Sequence, residues 1–417
     1  MKYRITPKNL LKIFSTSPIA VLTVISILIS MSYKYSLNLA DFGDYIKAGS
    51  LIKDRINPYE QLMYANSPVS ALFFYLISWL LPFSILPIMI HLFNAIGVLF
   101  FLNWYIGQKF NALVLYLFGF LLISGVGRAL FGNVQVTGIT LGLVALAFTF
   151  NYKYRSIFFP LILMLLAFEI KPQITIPFLV LFIFQSAGVL KKIGILVVSA
   201  LTIHSLIELY FGSNLHFTWL EKVLRYSNNS LLQSSYEISI WKGINQIFGQ
   251  EQLLRVLSII SILMTLFLVA KYSKSNPEKA FFLALIFPMF NSYVHLYDYV
   301  GVLLIAIKYV TLKRFESSIL ILPFLLFFPL SKDLFLLSIT IELIVISIVM
   351  FRVKNRALIW VGAGLFASQI IAYPLTINSN QEIQMSVYLS LCTMLLLFYV
   401  YRGIFKKSIS STDLNYG

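Results

Sequence analysis

The chain has 417 residues, of which 59% are hydrophobic and 12% charged, and it carries a net charge of +16. A soluble domain of this length would hold about twice that charged fraction, which excludes an ordinary water-soluble globular protein. The basic excess points to the cytoplasmic loops of a membrane protein, where lysine and arginine concentrate, rather than to a nucleic-acid partner. The single cysteine, Cys392, excludes a disulfide within this sequence and a cysteine-based zinc site.

Apolar runs recur along the chain, each near the ~20 residues a helix needs to cross ~30 Å of hydrocarbon. Backbone groups in lipid must be paired within their own segment, which leaves helices or a closed barrel. The run 193–210 does not alternate as barrel strands do, so helices are expected. Lys2, Arg4, Lys8 and Lys12 precede an apolar segment at residues 15–33. It is longer than a signal-peptide core and lacks a small-residue cleavage site, so it reads as a retained first span.

Basic clusters then punctuate the apolar runs at Lys109, Lys153/Arg155, Lys191/Lys192, Lys271/Lys274/Lys279, Lys308/Lys313/Arg314, Arg352/Lys354/Arg356 and Arg402/Lys406/Lys407. With the four N-terminal charges these are 21 of the 32 basic residues, and two spans fit between successive clusters. The acidic residues Asp41, Asp44, Asp54, Glu60, Glu221, Glu237, Glu251, Asp333 and Glu382 fall in the intervening loops. The expectation is an all-α polytopic integral membrane protein. It forms one membrane domain over residues 1–417, with about 14 (12–14) transmembrane helices and both ends cytoplasmic.

Residues 67–81 are apolar but short, and Pro68, Pro82 and Pro87 bracket them. Counting them as a span would put every later basic cluster on the wrong side, so they read as a helix lying in the outer interface, a depth that suits Trp79. Two external loops are long: residues 34–86, which include interfacial helices, and residues 212–250.

The first of these loops holds a carboxylate pair. Asp41 and Asp44 are three apart and share a face if helical; Tyr45, Ala48 and Ile52 continue the spacing, and Asn57-Pro58-Tyr59 ends it. Carboxylates just outside a span suit acid/base chemistry at the interface; a solvated loop with Asp41 as helix N-cap is the other reading. Further charged or polar groups sit at the external ends of spans: Arg128 before FGNVQ, Glu169 and Lys171 before Pro172, and His295 and Asp298 after Pro288. Charges at membrane depth are expensive, so each is either functional or part of an ion pair, or snorkels to the headgroups. Lysine and arginine there suit an anionic phosphate. His204 and Glu208, one turn apart, can pair within the span 193–210, and Glu342 lies deep in an apolar run. No Walker loop, GxGxxG or HExxH is present.

Five segments carry a resemblance. DFGDYIKAGSLIKDRINPY with SPVSALFFYLISWLLPF, LFGNVQVTGITLGLVALAF, FEIKPQITIPFLVLFIF, SNNSLLQSS and FPMFNSYVHLYDY follow one another over about residues 38–305, roughly two-thirds of the chain. Their order resembles glycosyltransferase family 87, polyprenyl-phosphate-mannose-dependent mannosyltransferases of the GT-C fold class; residues 315–417 lie outside the resemblance. The resemblance implies interfacial helices in the first external loop above a cavity, and a donor whose phosphate lies near basic residues. It also implies an aspartate that deprotonates the acceptor hydroxyl for inverting attack. Asp41 matches that aspartate, with Asp44 able to take its place; Lys171 matches the family lysine, with Arg128 and His295 as further donor-phosphate contacts. Tyr45, Asn133, Gln135 and Asn229 fall in the segments implied to bind substrate, Asn133 standing where glutamine is usual.

The expected function is therefore transfer of a hexose, foremost mannose, from a polyprenyl-phosphate-sugar donor to a hydroxyl on a glycan or glycolipid acceptor. No cofactor and no metal are expected, because no DxD cluster for a nucleotide sugar is present. The lipid bilayer is the other partner, and nucleic acid is not one. The abundance of Lys, Ile, Asn and Phe fits an AT-rich genome, hence a bacterial inner membrane with the site facing the periplasm or exterior. The alternatives are a lipid-linked-sugar flippase or transporter, against which stands the lack of internal repeats, and third a polysaccharide polymerase or ligase.

Overall fold

The computed structural model describes residues 40–61, 66–80, 85–106, 135–154, 157–211, 214–230, 251–291 and 295–311, with isolated positions between them. Among these the chain is helical, without strands. The first span expected at residues 15–33, residues 315–417, Glu342 and Cys392 lie outside the described residues.

The segment expected as the first external loop holds three helices among its described residues. The helix α1 (Ala40–Lys53) takes in Asp41 within its first turn, rather than using it as an N-cap, and buries Tyr45, Ala48 and Ile52 at the spacing read from the sequence. Its end is closed by Arg55 in the left-handed region (φ 58°), which lets the Ile56 N–H reach the Leu51 carbonyl at 2.8 Å. A single turn, α2 (Pro58–Gln61), follows. Next, α3 (Pro68–Leu80) is the short apolar helix expected at residues 67–81. Ser67 caps it by accepting the Ser70 N–H, with Pro68 at the first helical position where no N–H is missed. It buries Val69, Ala71 and Phe74 and leaves Trp79 and Leu80 exposed.

Among the described residues three helices are long and apolar enough to cross a membrane: α4 (Leu86–Ile106), α8 (Val189–Phe211) and most of α10 (Glu251–Ser275). Shorter apolar helices lie between them: α5 (Thr137–Tyr154), α6 (Phe158–Ile170) and α7 (Pro172–Phe184). At 13 residues each, α6 and α7 rise only about 20 Å. α9 (Leu215–Ser230) lies in the segment expected as the second long loop, and α11 (Pro277–Ile286) leads through two 3₁₀ turns, Phe287–Phe290 and Leu296–Tyr299, into α12 (Val300–Thr311).

Two apolar cores divide this architecture. The larger is built on α4, α5, α6, α7, α11 and α12, with Phe101, Phe148, Phe178, Phe182 and Phe282 at its centre. The smaller joins α1 and α3 to α8 and α9 through Tyr45, Phe74, Ile207 and Leu215, so α1 and α3 are packed as a cap rather than draped in solvent. Tyr45 and Phe74 stack face to face, centroids 4.6 Å apart.

The helix contacts fix directions. Asn94 meets Ile139 and Trp104 stacks on Phe148, so α4 and α5 run parallel. Lys192 donates from the start of α8 to the carbonyls of Phe182 and Ile183 at the end of α7, at 2.8 and 3.1 Å, so α8 turns back along α7. One end of the bundle therefore gathers the cap, the start of α5, the α6–α7 junction and the 3₁₀ turns. The other gathers Lys192, Lys271, Lys279 and Lys308, the last lying 3.7 Å from Glu278 and over the ring of Tyr105.

The α4–α5 contact is close because it is made of glycine. A Cβ on Gly142 would sit 2.7 Å from the Gly97 Cα, and one on Gly97 would meet the Gly138 carbonyl oxygen. Small residues at such crossings let helices approach where lipid supplies no hydrophobic drive. We expect Gly97→Leu to lower stability by about 1–3 kcal/mol, the usual range for overpacking, read as a lower unfolding temperature of the purified protein in detergent. Unchanged stability would mean α4 and α5 can separate without loss.

Candidate functional site

The polar centre forms at the junction of α6 and α7. Proline at 172 cannot donate to the helix and disfavours helical geometry at the residue before it, and Lys171 accordingly leaves the helix at φ −152°, ψ 81°. Its N–H still reaches the Ala167 carbonyl, and its own carbonyl accepts the Ile174 and Thr175 N–H groups, so the break leaves this backbone satisfied. The kink frees the side chain to point inward.

Lys171 is 4% exposed. Its Nζ donates to Thr137 Oγ1 at 2.6 Å and lies 2.9 Å from Asp298 Oδ1, a charge contact without a well-directed hydrogen bond. Asp298 is held from its other oxygen: Oδ2 accepts the His295 N–H at 3.1 Å, and the Asp298 N–H returns to the His295 carbonyl at 2.9 Å. The 3₁₀ turn thus presents the carboxylate to the lysine. Removing one member of such a pair leaves a buried charge uncompensated.

A second network adjoins this pair along the start of α5. Asn94 on α4, fully buried, donates its amide to the Gln135 carbonyl and accepts the Ile139 N–H at 3.1 Å, which satisfies the helix start. Gln135 Oε1 accepts the Tyr45 hydroxyl at 3.2 Å. Tyr45 on α1, Gln135 and Thr137 at the start of α5, Lys171 between α6 and α7, and Asp298 before α12 therefore meet within one stretch of the bundle end. On the cap side, Ser67 Oγ donates to the Glu169 carbonyl at 2.9 Å, which ties α3 to the end of α6.

Of the residues expected from sequence, Tyr45, Gln135, Lys171 and the His295 backbone come together here. Asp44 lies one residue before Tyr45 on α1 and is half-buried. The Asp41 side chain, Arg128, Asn133 and the Asn229 side chain lie outside the described residues. Lysine 171 pairs with Asp298, not with its sequence neighbour Glu169, whose carboxylate turns to His204 instead. Nor do His204 and Glu208 pair directly: His216 stands between them and contacts both. Sequence reasoning missed His216, Thr137 and Asn94. A histidine at the start of a loop helix carries no spacing signal, and Thr137 and Asn94 look like ordinary helix residues. Among the described residues no cluster of three or more His, Cys, Asp or Glu is arranged to hold a metal ion.

The buried pair makes a clear prediction. Lys171→Met and Asp298→Leu alone should each destabilise the protein by about 3–5 kcal/mol, whereas the double variant should recover much of the loss; thermal unfolding of the purified variants measures this. Additive losses would show that the two groups do not compensate each other. Compared with known proteins, the chain matches no family model, and no curated relative matches it.

Proposed function

We propose that the chain is a membrane glycosyltransferase that moves a hexose, mannose foremost, from a polyprenyl-phosphate donor to a hydroxyl of a glycan or glycolipid acceptor, with inversion. What supports the reading above all is one convergence. Four of the five segments that resemble family 87, which lie as far apart as residues 45 and 298, contribute side chains to a single polar site. In this reading the described helices belong to a GT-C bundle of about 14 spans. The cap of α1–α3 faces the non-cytoplasmic side of a bacterial inner membrane, and the lysine-rich end of the bundle faces the cytoplasm.

The chemistry follows from the groups available. A sugar hydroxyl is a poor nucleophile, and a carboxylate on α1, Asp41 with Asp44 one turn on, accepts its proton as the new bond forms. The acceptor oxygen attacks the anomeric carbon from the face opposite the phosphate; the C1–O bond breaks and its electron pair leaves with the phosphate. That anion is a competent leaving group once a cation neutralises it, so the step needs no metal. Lys171 supplies the cation, exchanging its contact with Asp298 for one with the phosphate, and Arg128 and His295 are its further contacts. Tyr45, Gln135, Asn133 and Asn229 orient the substrates.

The test is turnover with saturating lipid donor. Asp41→Asn keeps the shape and loses the base, and should lower the rate by about 10²–10⁴-fold while donor binding survives; Asp44→Asn should cost far less. Near-normal turnover by Asp41→Asn would remove it as the base, and an inactive Asp44→Asn would then assign the role to Asp44.

A further inference from the structure

Next to this site, four ionisable groups stand in line. Glu169 Oε1 lies 2.9 Å from His204 Nε2, His204 Nδ1 faces His216 Nε2 in hydrogen-bond contact, and His216 Nδ1 lies 2.8 Å from Glu208 Oε1. The two rings meet edge to face at 87°, with centroids 4.4 Å apart. Glu208 is fixed in turn by accepting the N–H groups of His216 and Leu215, at 2.7 and 3.3 Å, and so caps α9. The line runs from a buried end to an open one: the Glu169 side chain is 3% exposed, His204 and His216 are 26% and 20%, and Glu208 is 31%.

Each of the three contacts needs one proton. Two neutral imidazoles and two carboxylates hold only two protons between them, and with both given to the carboxylates the facing nitrogens would oppose lone pair to lone pair. The line therefore has room for a third proton, which completes all three contacts. A single helix-to-helix clamp would need no such arrangement. Among the described residues α6 and α7 have no other ionisable group, with Lys171 between them; α3 has Tyr75, α2 against α9 has Tyr59 and Glu60, α9 adds Glu221 and Lys222, and Arg55 lies over the ring of Tyr210.

We propose that Glu169, His204, His216 and Glu208 form a proton relay that carries the acceptor proton from the site to water, a role that rests on the glycosyltransferase reading. A proton arriving on Glu169 moves to His204 Nε2 as the Nδ1 proton of that ring moves to His216 Nε2 and the His216 Nδ1 proton moves to Glu208. Three bonds shift, one positive charge crosses, and Glu208 returns the proton to solvent. Imidazole is suited to each transfer because its two nitrogens accept and donate near neutral pH. Ser67, which caps α3, donates to the Glu169 carbonyl at 2.9 Å, so the inner end of the relay lies where the cap formed with α1 meets the end of α6.

Two measurements on the full chain decide it. The protein has four histidines, so ¹⁵N-histidine spectra of the wild type in lipid nanodiscs can be followed ring by ring against pH. The ring signals of His204 and His216 should change together as pH is varied, because a proton on one ring is shared with the other; rings that respond independently would overturn the relay without any variant being needed. In transfer assays His204→Ala should lose about 10²-fold in rate and regain it on adding free imidazole, whereas a loss that imidazole does not restore would mark a structural role and overturn the proposal. If the wild type transfers no sugar from any lipid donor, the glycosyltransferase reading falls, and the coupled titration decides the relay alone.

Discussion

An ammonium group held out of water must find a counter-charge, and the structure is organised around meeting that demand for Lys171. Proline at 172 breaks the helix and turns the lysine inward, and three separate parts of the chain then come to it. The start of α5 offers the Thr137 hydroxyl, the 3₁₀ turn before α12 offers the Asp298 carboxylate, and the α3 cap grips the carbonyl of Glu169 two residues away. The short lengths of α6 and α7 follow from the same break, since both end at the level of the site rather than continuing as one long span. A buried pair is weak evidence for stability in itself, because desolvation offsets the attraction. Its place at one end of an otherwise apolar bundle fits the proposed role of a charge kept for an anionic ligand.

The cap gives this charge its setting. Tyr45 stacks on Phe74 and reaches Gln135, so α1, the helix that carries the carboxylate pair, is registered against the start of α5 rather than floating on the surface. Arg55 over Tyr210 and the packing of α3 against α8 and α9 close the cap from the other side. With α9 held by Glu208 and His216, the first and second long loops share one small core.

Much of this was legible in the sequence, and for physical reasons. The burial of Tyr45, Ala48 and Ile52 follows from helical period alone, and the short helix at residues 67–81 was bounded by its prolines. The separation of the described lysine clusters from the acidic loops, read first from charge, reappears as two chemically different ends of the bundle. What could not be read was partnership. Nothing in a sequence says that Lys171 prefers Asp298, 127 positions on, to Glu169, two positions before. Nor does it say that His204 and Glu208, at pairing distance along a helix, would admit His216 between them. Those choices depend on how helices distant in sequence pack, and local period is silent on that.

The central claim is that the site breaks a bond in a lipid-phosphate sugar rather than moving the intact molecule across the bilayer. The direct measurement is to incubate purified protein in lipid vesicles with a panel of radiolabelled polyprenyl-phosphate sugars, and separately with nucleotide sugars, in the presence of a chelator. The label is then followed chemically. The account predicts that one lipid-phosphate sugar is consumed, with release of free polyprenyl phosphate and passage of the label to a hydroxyl acceptor, while the nucleotide sugars are untouched. Label that crosses the bilayer still attached to its lipid would contradict it and make the protein a flippase; consumption of a nucleotide sugar instead would contradict the lipid-donor site.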